Sequence, residues 1–251
     1  VDLDSRPGYK YHYTKMNGVL DMSGVVSKRI RDRIKRNDGR FFACDNIAPY
    51  IMKDEKEELI LEITSKFEGV LDSLIIDTEN DPNSKGTAKR LAKMYVNELM
   101  SGRYNTAPDC TAFPNDGVNT YKGMLVVRAE IKSMCSHHHQ PVWGLCFIGI
   151  IPGKKVIGLS KYIRIAQWYA RRGQLQEELT VQIAKHIMDA TESNDVAVYV
   201  EASHGCCSFR GVNAFNSATQ TSVVYGEFEK LEVKNEFFQQ IQIQKNTTGL
   251  Y

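Results

Sequence analysis

Residues 134–141 read MCSHHHQP, a cysteine followed two positions later by three consecutive histidines. Cys135 and His138 form a Cys-x2-His pair at the end of a strand-like stretch, where a bend in the chain lets both side chains reach one ion. Further on, in DVAVYVEASHGCC, Val196, Val198, Val200, Ala202, His204 and Cys206 alternate on one face of an extended chain, so an apolar row ends in two residues with donor atoms. Two thiolates and an imidazole suit zinc, and three protein donors leave a fourth position for water, as in catalytic rather than structural sites. Zinc lowers the pKa of bound water to about 7. His137 and His204 remain beside such a centre as proton donors or acceptors. The spacing is equally compatible with buried cysteines and exposed loop histidines. Cys44 and Cys146 have no partner pattern and read as core residues. His139 and Cys207, next to candidate donors on an extended chain, are expected to face away from them.

Strands and helices must position these groups. LVVRAEIKSMC alternates, with Leu125, Val127, Ala129, Ile131, Ser133 and Cys135 on one face and Arg128, Glu130 and Lys132 on the other. WGLCFIGIIPGKKVIG reads as a hairpin turning at Pro152 and Gly153. SKYIRIAQWYARR and QLQEELTVQIAKHIMDA read as two helices, the second with Leu175, Leu179, Ile183 and Ile187 in one apolar stripe. The strand ending in His204 follows, and SATQTSVVYGEF is one more. Upstream, VVSKRIRDRIKR sets Val26, Ile30 and Ile34 on one helical face, and its basic side chains read as a solvated face before a phosphate site. DEKEELILEITSKFEGVLDSLI (54–75) opens with an acidic turn suited to the helix dipole. After DPNSKG, the helix TAKRLAKMYVNELMSG is expected to be capped by Gly102. Helices first, then strands with a helix pair between them, define an α+β chain, with residues 1–50 as an N-terminal extension and 51–251 as the catalytic domain.

A chain of 251 residues, 42% apolar and 25% charged, can bury a substantial core. Its net charge of +2 gives no electrostatic reason to expect nucleic acid or a membrane as partner, and the basic N-terminal stretch lacks interleaved aromatics. No run of eighteen apolar residues occurs, so no membrane span is expected, and the first residues lack the pattern of a secretory signal. Six scattered cysteines point to a reducing, cytoplasmic setting.

Four separated blocks, TAKRLAKMYVNEL, MCSHHHQP, GLSKYIRIAQWYARRGQLQEELT and EASHGCCSFRGV, stand in the order and at the distances of the GTP cyclohydrolase I family, which the chain resembles over roughly residues 84–228. The resemblance implies the tunnelling fold, an antiparallel sheet with packed helices, here with a helical N-terminal region. It also implies a homo-oligomer, commonly a ring-stacked decamer with active sites at subunit interfaces. The implied reaction converts GTP and water to 7,8-dihydroneopterin triphosphate and formate. Cys135, His138 and Cys206 would hold zinc, His137 would protonate purine N7, and His204 would assist ring opening near the ribose. Gln176 and Glu177 match the guanine-recognition pair: a carboxylate accepts from N1–H and the 2-amino group together, which adenine cannot reproduce. Arg90, Lys93, Ser160, Lys161, Arg164 and Arg210 match triphosphate-binding positions, and Ser160, Lys161 and Arg164 open a helix whose free N–H groups favour anions.

Two residues depart from the family pattern. Ser136 stands where glutamate is usual, and Glu178 where a basic residue is usual. Both alter charge at the expected site, which keeps three alternatives in view: a relative acting on dGTP, one serving deazaguanine synthesis, and a non-catalytic nucleotide-binding paralogue. Cys135, His137, His138, His204 and Cys206 are all present, which argues for an enzyme.

Overall fold

The computed structural model describes residues 25–118 and 120–247. Helix α1 (Val26–Arg36) has no capping side chain. Its place is set by burying Val26, Ile30 and Ile34 against Ile47 and against Leu59 of α2 (Glu55–Ser73), the face expected from their spacing. Arg33 complements this contact, donating to both carboxylate oxygens of Glu55 at 2.7 and 2.9 Å, while Arg29 pairs with Glu58.

Burial alone would raise the Glu55 carboxyl. The Arg33 guanidinium, the Met52 N–H and the Arg29 charge outweigh it and hold the carboxyl below its ordinary 4.5. A carboxyl depressed on folding contributes stability that is complete above its unfolded pKa and is lost as the pH falls through the folded value. Glu55→Gln leaves Arg33 buried without its counter-charge. It is expected to cost about 3 kcal/mol at neutral pH and to flatten the fall in stability below pH 4.5, with urea titrations at neutral and acid pH as the check.

Residues 1–24 of the expected extension lie outside the described residues. The segment after α1 is tied to the body of the chain by two buried arginines. Arg103 donates to the carbonyl oxygens of Phe41 (3.2 Å), Phe42 and Asp45 (2.9 Å), and Arg172 to those of Cys44 (2.9 Å) and Gly102 (3.2 Å).

Helix α3 (Thr87–Met94) runs into a π-helical turn (Tyr95–Leu99) and the short α4 (Ser101–Tyr104). Gly102, expected as a cap, lies inside α4 instead. A Cβ there would fall 1.9 Å from the carbonyl oxygen of Trp168, so the glycine serves a close helix–helix approach.

Five strands form the main sheet in the order β5 (Gly173–Gln174), β2 (Leu125–Cys135), β3 (Pro141–Ile150), β6 (Val196–His204), β7 (Thr219–Val224). All neighbours are antiparallel except β5 and β2. The hairpin expected at Pro152 and Gly153 does not form. β3 folds back on β2 through residues 136–140, while β4 (Lys155–Ile157) pairs with β1 (Ala112–Pro114) in a separate ribbon. Residues 151–153 are held elsewhere: Ile151 donates its N–H to Asp195 O at 3.1 Å and accepts from the Ser193 hydroxyl at 2.7 Å.

Helices α5 (Leu159–Ala170) and α6 (Gln176–Thr191) cover one face of the sheet, with Tyr162, Ile165, Leu179, Ile183 and Ile187 packed over Ile131, Cys146, Ile148, Val198 and Val200. Leu175, expected on that stripe, precedes α6 and is exposed. Helix α8 (Leu231–Asn246), not anticipated from the sequence, covers the other face, where Phe228, Phe237 and Ile241 meet Phe147, Ala197 and Tyr199. Strands β3 and β6 are thereby buried on both sides. No helix among the described residues is long and apolar enough to cross a membrane.

Candidate functional site

Reversal of the chain between β2 and β3 decides where the cysteine–histidine stretch goes. β2 carries Cys135 into the core, and β3 restarts at Pro141, so residues 136–140 must turn the chain around. The turn closes on itself: His139 N–H donates to Cys135 O, and Cys135 N–H to Gln140 O, both at 2.9 Å. His139 takes a φ of +50°, the left-handed conformation that this tight reversal demands.

Cys206 arrives from the other side. β6 ends at His204, and Cys206 sits in α7 (Gly205–Ser208), a single helical turn where a continued strand was expected. Because β3 pairs with both β2 and β6, with Met134 opposite Pro141 and Val142 opposite His204, the two ends meet. The donor atoms of Cys135, His138 and Cys206 all lie within 4.8 Å of one another.

This donor set fits a thiophilic divalent metal ion. Bonds of about 2.3 Å to sulfur and 2.0 Å to nitrogen place tetrahedral donors about 3.5 Å apart, against the 4.8 Å within which all three atoms lie here. Burial and the neighbouring Cys135 and Cys207 thiols push the Cys206 thiol up to about 11. A bound divalent cation reverses that preference by stabilising both sulfurs as thiolates. Cys207, expected to face away, touches Cys206, because adjacent residues in a helical turn are not opposed as they are in a strand.

His137 is exposed, its ring 6.3 Å from that of His138. His139 packs its ring 5.7 Å from Tyr95 in the π turn. His204 is half-buried with Nε2 2.8 Å from Gln176 Oε1. Burial holds its pKa below the usual 6.5, with the Glu177 carboxylate opposing.

Gln176 and Glu177, expected to act on one ligand, meet different surroundings. Gln176 is only 4% exposed, and its Nε2 shares two N–H donors among three acceptors, Val200 O at 3.1 Å, Thr219 O at 3.0 Å and Thr221 Oγ1 at 3.1 Å. Its amide is engaged with β6, β7 and His204, whereas Glu177 is exposed at the start of α6. Glu178 is exposed too, and its charge reaches the N-terminal segment: burial and that charge push the Cys44 thiol pKa up.

The expected phosphate-binding residues occupy separate elements. Arg90 and Lys93 stand on α3, Ser160, Lys161 and Arg164 in the first turns of α5, and Arg210 just beyond α7. Arg90 donates to the carbonyl oxygens of Lys85 and Asn83, and Lys161 to that of Asp109. Among the described residues, none of these five cations has a carboxylate partner within 4.0 Å.

Sequence reasoning missed Tyr95, Thr180 and Thr221. Their partners come from distant elements, and neither a ring in a helix nor threonines in a helix and a strand carry a spacing signal for such contacts.

The family model described as GTP cyclohydrolase I matches residues 63–242. Proteins named GTP cyclohydrolase 1 are similar to the chain. That of Flavobacterium johnsoniae is 38% identical over 188 residues, covering 74% of this chain and 83% of its own. That of Pseudoalteromonas translucida is 42% identical over 177 residues, covering 68% and 94%. That of Saccharomyces cerevisiae is 38% identical over 203 residues, covering 78% and 82%. The matched stretch contains Cys135, His138 and Cys206 and every expected phosphate-binding position.

Proposed function

Since the chain belongs to the GTP cyclohydrolase I family, whose tunnelling fold its sheet and helices adopt, we propose that it hydrolyses GTP at purine C8 and rearranges the opened ring to 7,8-dihydroneopterin triphosphate, releasing formate. The observation that carries this reading is the meeting of Cys135, His138 and Cys206 at one point from two strand ends. These three residues would hold zinc, which when bound supplies water with a pKa lowered to about 7.

The chain's own side chains do the rest. His137, exposed next to the donor His138, protonates N7 as the C8–N bond weakens. His204 handles the proton transfers at the ribose during ring opening and rearrangement. Glu177 accepts from guanine N1–H and the 2-amino group. Arg90, Lys93, Ser160, Lys161, Arg164 and Arg210 hold the triphosphate, and the lack of carboxylate partners for the five cations among the described residues supports that role.

Residues 51–251 serve as the catalytic domain, and residues 1–50 as an extension whose described part braces α2. Exposed apolar side chains on α2 (Leu61, Val70), just after it (Leu74) and at Trp143, Phe209 and Phe215 support a homo-oligomer, proposed as a decamer with sites between subunits. Six free cysteines support a cytoplasmic location.

Zinc-loaded protein given GTP and dGTP in parallel is expected to release one formate per GTP consumed, together with a fluorescent pteridine. Bound zinc with no formate from either nucleotide would overturn the enzyme reading in favour of nucleotide binding alone.

A further inference from the structure

We infer that Gln176 is a positioning residue for His204, fixing which ring nitrogen carries the proton, rather than a base-binding residue. This rests on the assignment of His204 to proton transfer made above. A primary amide offers two N–H donors on nitrogen and only acceptor sites on oxygen. Around Gln176 Nε2 stand the carbonyl oxygens of Val200 and Thr219, which can only accept. The reversed amide would set an oxygen against both of them in a buried site, losing the bonds and adding repulsion.

The third neighbour, Thr221, is equally constrained. The Thr180 hydroxyl donates its single proton to the backbone oxygen of Gln176 at 2.8 Å. In its 2.7 Å contact with Thr221 it can therefore only accept. Thr221 spends its own proton there, which leaves its oxygen to accept from Gln176 Nε2 at 3.1 Å.

With only acceptors facing Nε2, Gln176 Oε1 must face His204, and His204 Nε2, 2.8 Å away, must carry a hydrogen. A neutral imidazole has only one N–H, so Nδ1 presents the lone pair, and it becomes the donor when the ring is protonated. Nδ1 has no hydrogen-bond partner among the described residues. Gln176 thus hands the ring to the site in one orientation, with Nδ1 as its working atom. Because Gln176 adjoins Glu177 in the first turn of α6, the same turn fixes both the base-recognising carboxylate and the proton-transferring ring.

Gln176→Leu is expected to lower kcat for GTP by about 10²-fold, within the range contributed by a positioned acid or base. KM should stay within about threefold and zinc content and the absorption spectrum of the cobalt-substituted protein should not change, since the donors are not involved. A raised KM with kcat unchanged, or a narrowed preference for GTP over ITP, which lacks the 2-amino group, would overturn the inference and return Gln176 to base recognition.

Histidine-labelled full-length wild-type protein supplies a readout that needs neither turnover nor a Gln176 variant that folds. Nitrogen NMR at a pH where the ring is neutral, with the signal assigned by its loss in His204→Ala, should show the Nε2–H tautomer. The Nδ1–H form would overturn the inference. Absence of formate from the wild-type protein would count against the proposed activity alone, because the tautomer is read independently.

Discussion

Cys206→Ser is expected to abolish formate release from GTP, by at least about 10³-fold, and to remove the bound metal with it. Cys206 supplies one of the two sulfurs of the proposed three-residue set, and a serine hydroxyl stays protonated near neutral pH where a metal-bound thiol ionises. Losing the ion forfeits several kcal/mol of charge stabilisation, and each 1.4 kcal/mol is about tenfold in rate. The fold should survive, because the three hydrophobic clusters lie in the sheet faces and in the α1–α2 contact, and Cys206 only borders the first of them. Metal analysis, formate release and thermal unfolding on one preparation separate these effects. Retained metal and activity would identify Cys207, which touches Cys206, as a substitute donor, and the double variant Cys206→Ser/Cys207→Ser would then lose both.

His137→Ala is expected to keep its metal and lose turnover by about 10²- to 10⁴-fold, the usual contribution of a positioned acid. His137 adjoins His138, the proposed donor, and its ring stands apart, 6.3 Å from that of His138 and exposed. A variant defective in N7 protonation should still bind GTP, so KM should change little while kcat collapses. Equal loss of metal and activity would show that His137, not His138, completes the donor set.

Local pattern made much of this legible. The alternation from Leu125 to Cys135 and the spacing of Val26, Ile30 and Ile34 survive as one strand and one buried helical face, because burial on a single side writes itself into the period. The hairpin expected at Pro152 and Gly153 failed for the opposite reason. A proline–glycine pair marks a break in the chain, but the partner of each flanking strand is chosen by distant residues, here Asp195 and β1. Gly102 resembled a helix cap because a glycine near a helix end looks alike whether it answers a backbone angle or a neighbouring carbonyl, and only the position of Trp168 tells them apart.

Cys135, His138 and Cys206 stood out by residue type, while the path that brings them together did not. Cys206 was expected to continue the alternation of β6, yet a helical turn delivers it. The engagement of Gln176 was hidden as well, since it depends on β6 and β7 lying beside the first turn of α6.

Pairing of β3 with both of its neighbours has a consequence for how the chain matures. Cys135 and Cys206 are separated by about seventy residues, and the partnership of β2, β3 and β6 is what brings them together. A slip of one residue between β3 and β6 would displace Cys206 by about 3.3 Å and turn His204 to the opposite face of the sheet. Pairings between distant segments are the slow steps of folding, so an ion bound by these residues would be captured late and only by chains in the right register. An ion held there would act as a proofreader: it would reward the correctly aligned sheet by mass action and leave misaligned chains to unfold and try again.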